Sequence, residues 1–112
     1  MNTTTTTKAQ FTTFQPQGYL SAANAQRFRE KLTVAITSSF HSVLLVDMGA
    51  VEFMDSAGLM ALIDAFRLAQ SLERRLSICS LAPSVRIMFE LTQLDNAFEI
   101  FEDRQSFETA LA

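Results

Sequence analysis

The chain has no tryptophan, one cysteine, one histidine, two prolines and three glycines in 112 residues. Each scarcity removes a class of function. The lone thiol, Cys79, cannot close an internal disulfide, and the lone His41 has no ligand-type residue four positions on, so a structural zinc site is excluded. Basic residues are also in the minority: 9 Lys and Arg stand against 12 Asp and Glu, for a formal charge of −3. Arg74-Arg75 is the only adjacent basic pair. With no basic patch for phosphate backbones, nucleic acid is not expected as a direct partner. No apolar run approaches the roughly 18 residues that span a bilayer, so no membrane insertion is expected. Met1-Asn2 and Thr3 to Thr7 lack the basic start and apolar centre of a secretory signal, which makes a cytoplasmic protein the expectation.

What is present is the composition of a globular domain, 48% hydrophobic and 19% charged. The length suits one domain, with residues 1–8 as a threonine-rich tail or frayed first strand and residues 9–112 as the folded unit. The chain is organised around Val43 to Gln70. Val43-Leu44-Leu45-Val46-Asp47 is a continuous β-favouring run too short for a helix, as expected of a strand buried on both faces. Leu59, Leu62, Ile63 and Phe66 then recur at i, i+3, i+4 and i+7 and lay one apolar stripe along a helix. The period changes at Asp55-Ser56, where either side chain can cap that helix. A serine hydroxyl is thereby placed at a helix N-terminus past the carboxyl end of a central strand, where open α/β sheets carry their sites.

Before this centre, Gln10 to Gln15 reads as a strand whose Phe11 and Phe14 point to opposite faces, with Pro16 placing it near an edge or at a strand end. Ser21 or Asn24 can cap a helix with Ala25, Phe28, Leu32, Ala35 and Ile36 inward. After the centre, Leu72 to Arg75 turns the chain without a glycine into a strand from Leu76 to Cys79. Pro83 opens a third helix with Val85, Met88, Phe89 and Thr92 at helical spacing, and Asp95-Asn96 breaks it. Ala97 to Phe101 reads as a last strand, and Asp103 caps a short helix with Phe107, Ala110 and Leu111 inward. The order β-β-α-β-α-β-α-β-α predicts an α/β fold: a mixed, mostly parallel sheet of four to five strands with the helices mainly on one face.

The chemistry open to the centre is narrow. A nucleophilic Ser56 lacks the first glycine of G-x-S-x-G, since Met54 stands there, although Gly58 fits the second. His41 lies before the strand and Ser56 beyond it, some 16 Å apart at roughly 3.3 Å per residue, so a His–Ser pair is out of reach. A phosphoaspartate receiver built on Asp47 lacks the acidic pair and the lysine that it requires. Asp47, Glu52 and Asp55 read as capping and solvated carboxylates rather than metal ligands. No catalysis and no cofactor are expected. Two readings of Ser56 remain: a helix cap alone, or a switch read by a partner and modified by a kinase. Met60 and Asp64 continue in line with Ser56, away from the apolar stripe, so that Ser56, Met60 and Asp64 can form a patch that a partner covers. A phosphate there adds about −1.5 to −2 charges beside Asp55, and Arg67 lies roughly 16 Å along the helix, too far to recruit it. Modification is therefore expected to spare the fold and switch binding off.

Val51-Glu52-Phe53-Met54-Asp55-Ser56-Ala57-Gly58-Leu59 resembles the central motif of STAS domains, which occur in anti-sigma-factor antagonists and sulfate transporters. The resemblance extends to Gly18-Tyr19-Leu20, to Leu44-Leu45-Val46-Asp47 and to Pro83-Ser84-Val85, and so covers nearly the whole chain. It implies a STAS-like fold without catalysis that binds an anti-sigma factor which is also a serine kinase. Ser56 matches the family's phosphorylated serine. The implied cycle has the unmodified protein capture the anti-sigma factor, the kinase release it by phosphorylation, and a serine phosphatase restore it. The chain departs from the family at Ser21, where many members carry an acidic residue, and at the glycine-free turn. The partner-binding residues expected are Asp55, Ser56, Gly58, Met60 and Asp64, with Asp55 orienting the turn and Gly58 permitting close backbone approach. The alternative implied by related single domains is an accessory subunit of a membrane lipid-transport complex or another signalling assembly, in which Ser56 is only a cap.

Overall fold

A computed structural model describes residues 3–7, 11–38 and 41–111. The expected strand start at Gln10 lies outside them, as do Met1, Asn2 and Lys8 of the expected tail. The apolar run folds as β4 (Val43–Asp47) at the middle of a five-stranded sheet of order β1-β2-β4-β6-β7, formed with β1 (Thr3–Thr7), β2 (Thr12–Pro16), β6 (Arg75–Cys79) and β7 (Glu99–Phe101). β2, β4, β6 and β7 run parallel, with Phe14 opposite Val46, Val46 opposite Ile78 and Ile78 opposite Ile100. Among the described strands only β1 is antiparallel, Thr5 facing Phe14 across the ladder. Pro16 closes β2, where the ladder donor it lacks costs least.

Alternation along the strands builds two cores. Leu44, Val46, Leu76 and Ile78 point to one face, where they meet α1 (Ala25–Ser38), α2 (Ser56–Ser71) and α3 (Pro83–Leu91) in the larger cluster. Leu45 and Cys79 point to the other face and pack with Phe11 and Phe107 beneath α4 (Arg104–Leu111). Phe11 and Phe14 take opposite faces, as their spacing requires. The five inward positions read along α1 are all buried, and each large side chain so buried contributes about 1.5–3 kcal/mol. The helices thus collect mainly on one face. Among the described residues, no helix is long and apolar enough to cross a membrane.

Several expectations are corrected. The connections around the centre hold two further strands, β3 (Gly18–Leu20) and β5 (Val51–Met54), which pair parallel as a separate ribbon. β2 ends at Pro16 rather than Gln15, β6 begins at Arg75 rather than Leu76, and the last strand is confined to Glu99–Phe101. In α4 only Phe107 is fully inward and Ala110 is exposed. Asn24 precedes α1, but its side chain turns back, accepting from the Ser21 N–H at 2.9 Å and donating to the Tyr19 carbonyl at 2.7 Å. The glycine-free turn works because Glu73 itself adopts φ +56°, which lets the Arg74 N–H reach the Ala69 carbonyl at 2.8 Å.

Candidate partner-binding site

The ribbon delivers the chain to the start of α2. Tyr19 lies opposite Phe53 and Leu20 opposite Met54, and the Asp55 N–H donates to the Leu20 carbonyl at 3.0 Å. Asp55 is extended (φ −99°, ψ −174°) and is the N-cap, so Asp55 rather than Ser56 caps the helix. One carboxylate oxygen, Oδ1, accepts from the N–H groups of Ala57 at 2.9 Å and Gly58 at 3.1 Å. The other, Oδ2, accepts from the Ala22 N–H at 3.0 Å, across 33 residues of sequence. The N–H of Gly58, then those of Ala22 and Ala57, hold this carboxyl below the usual aspartate range by favouring its charged form. One side chain therefore fastens the segment after β3 to the first turn of α2.

Gly58 makes this junction possible. A Cβ placed there falls 2.6 Å from the Leu20 carbonyl oxygen and 2.8 Å from Met54 Cγ, distances that real side chains do not tolerate. Gly58 is buried, and the close backbone approach it permits is that of α2 to β3.

The remaining expected residues are distributed unevenly. Ser56 is the first residue of α2 and is exposed, and Met60, one turn on, is 48% exposed. Asp64, a further turn on, is bound to Arg29 of α1 at 3.0 Å and so is not presented as a free charge. Asp47, at the end of β4, accepts from the Gly49 N–H at 2.9 Å in a local turn.

Two functional candidates escape sequence reasoning. Tyr19 and Phe53 are 61% and 49% exposed, and their rings meet edge to face with centroids 6.0 Å apart. They form an aromatic pair on the ribbon leading into Asp55. Their signals in the sequence are two short segments, Gly18-Tyr19-Leu20 and Val51 to Met54, and burial along the second does not alternate: Val51 and Met54 are buried while Glu52 and Phe53 are exposed. The other candidate is the Ala22 backbone N–H, which has no sequence signature.

The STAS domain profile matches residues 2–107, and the chain belongs to the STAS domain family. The candidate anti-sigma factor antagonist BtrV of Bordetella bronchiseptica is 28% identical over 99 residues, covering 85% of this chain and 84% of that one. The fold is similar to that of an anti-sigma factor antagonist from Mycobacterium paratuberculosis, with TM-score 0.88 and 22% identity over 98% of this chain and 92% of that one. It is also similar to the Bacillus cell fate determinant SpoIIAA in its phosphorylated form, with TM-score 0.72 and 15% identity over 97% of this chain and 99% of that one.

Proposed function

We propose that this chain is an anti-sigma factor antagonist that works by partner switching, without catalysis of its own. In its unmodified form it binds an anti-sigma factor with serine kinase activity; phosphorylation of Ser56 releases that partner, and a serine phosphatase resets the cycle. The observation that carries this reading is the division of labour at the start of α2. Asp55 takes the capping bonds, so the exposed Ser56 hydroxyl is not required by the fold and is available to a kinase. A phosphoserine at this position adds about −1.5 to −2 charges at the positive end of the helix dipole, where they are tolerated. The same hydrated dianion cannot enter a contact that excludes water without a desolvation penalty.

The contact surface is Ser56 and Met60 on α2 together with the Tyr19–Phe53 pair, all exposed around one helix start. Aromatic side chains of this kind are the usual anchors of protein interfaces. The names carried by BtrV and the Mycobacterium protein support the antagonist reading, and SpoIIAA in phosphorylated form supports the compatibility of this fold with a phosphate.

The test compares wild type, Ser56→Ala and Ser56→Glu in pull-downs from the native cell lysate and in thermal melts. Wild type and Ser56→Ala should retain an ATP-binding kinase-like protein, and Ser56→Glu should lose it with its melting midpoint within a few degrees of wild type. Retention of the same membrane-transport components by all three refutes the switch and leaves Ser56 outside any regulated contact.

A further inference from the structure

We propose that the β1 edge of the sheet is a self-association surface, where β1 pairs antiparallel with β1 of a second copy about a two-fold axis midway between the two Thr5 residues. Among the described residues β1 has a single neighbour, β2, so alternate residues turn their N–H and C=O groups to the open side. Natural edges are blunted by charge, proline, bulges or brevity. The opposite edge, β7, follows that rule: it is three residues long, and Glu99 is held by Arg75 at 2.7 and 2.8 Å. β1 does not follow it, being five consecutive threonines in unbroken register with β2.

The surface beside this edge fits a copy of itself. A groove of about 340 Å³ runs between β1 and α1, lined by Thr3, Thr5, Glu30, Lys31 and Val34. Val34 is 60% exposed, and the buried Thr3 hydroxyl has no hydrogen-bond partner among the described residues. A two-fold axis perpendicular to the sheet keeps both α1 helices on one face and merges the two grooves. In such an isologous contact each surface meets itself in reverse, so the adjacent acid and base on the groove, Glu30 and Lys31, are matched in both directions by their own copies, although Glu30 also accepts from Gln26 at 3.1 Å within one chain. A partner of uniform charge has no such match with an adjacent acid and base. One five-residue strand pair and a shared groove make a small interface, so dissociation in the range of roughly 10–1000 µM is expected.

Sedimentation equilibrium of the chain from about 10 µM to 1 mM reads this directly, and should show a monomer–dimer equilibrium. Thr5→Lys and Thr5→Glu each set like charges opposite one another across the axis and should weaken the dimer at least about tenfold. Their equimolar mixture should regain at least wild-type association. Val34→Glu, on the exposed face of α1 and outside the strand, should also weaken it at least about tenfold, which separates interface loss from damage to β1. A wild type that is monomeric throughout overturns the proposal. So does a dimer unmoved by Val34→Glu, or a mixture of the two Thr5 variants that fails to reassociate.

Discussion

Replacing Gly58 with alanine tests the junction that presents Ser56. On helix propensity alone, alanine in the first turn of α2 should stabilise by about 0.8–1 kcal/mol. The structure opposes this with a Cβ 2.6 Å from the Leu20 carbonyl oxygen, 2.8 Å from Met54 Cγ and 3.0 Å from Leu20 Cβ. Met54 has a flexible side chain, but the Leu20 carbonyl is fixed because it accepts the Asp55 N–H at 3.0 Å. Ordinary contact begins at 3.4 Å, so α2 must retreat by about 0.8 Å along that line, away from the segment that Asp55 holds. Overpacking of this kind costs typically about 1–3 kcal/mol, and a clash with backbone belongs at the upper end. The net effect is destabilisation by about 2 kcal/mol, or a fall in melting midpoint of roughly 8 °C for a domain of this size. Urea unfolding followed by circular dichroism measures it, with Ser56→Ala as the control expected within about 0.5 kcal/mol of wild type. A Gly58→Ala variant as stable as wild type, or more so, refutes the reasoning, because it shows that α2 does not need to lie against Leu20.

Three further outcomes follow from the same geometry. Asp55 has a folded value below the ordinary 3.8, so its contribution is present above that value and lost as pH falls through the depressed one; Asp55→Asn, which keeps an accepting oxygen, should flatten the acid limb of stability measured below pH 3.8. Glu73→Gly should raise the urea midpoint by the equivalent of about 0.5–1 kcal/mol, since glycine adopts φ +56° without the steric cost that glutamate bears, and part of the relief is offset by glycine's freedom in the unfolded chain. Burial pushes the Cys79 thiol up to about 11 from 9.0, so it should resist Ellman's reagent at pH 8 until urea exposes it, and its contribution to stability, complete below 9.0, should fade as pH rises through about 11. Prompt labelling of the native protein contradicts the packing of Cys79 under α4.

The parts of the fold legible in the sequence are those whose period is carried by the element itself. Ala25, Phe28, Leu32, Ala35 and Ile36 declare α1 through their own spacing, and Val43 to Asp47 declares β4 by being apolar throughout. The β3–β5 ribbon is a property of pairing between segments about 33 residues apart, Gly18 with Val51, and strands of three and four residues have no room to show a period. The site divides in the same way. Asp55 and Ser56 were equal candidates for the cap because both offer an oxygen; a tertiary bond, from the Asp55 N–H to the Leu20 carbonyl, sets where the extended chain ends and the helix begins. Asp64 falls in line with Ser56 and Met60 by its spacing, and its ion pair with Arg29 is not legible because that partner lies on another helix.

That tertiary definition of the helix start bears on how a modification at Ser56 is read. Asp55 and Gly58 join the β3–β5 ribbon to α2, so the segments carrying the Tyr19–Phe53 pair and the Ser56–Met60 line are fixed relative to one another before any partner arrives. A preformed surface loses little conformational freedom on binding, and its affinity then depends on what the contact buries. A phosphate on Ser56, as proposed, would act on that burial alone, since the capping bonds are made by its neighbour. Loss of binding with an unchanged melting midpoint is therefore the signature of Ser56→Glu, and loss of both together is the signature of Gly58→Ala. The two variants separate a change in what the surface offers from a change in whether it is assembled.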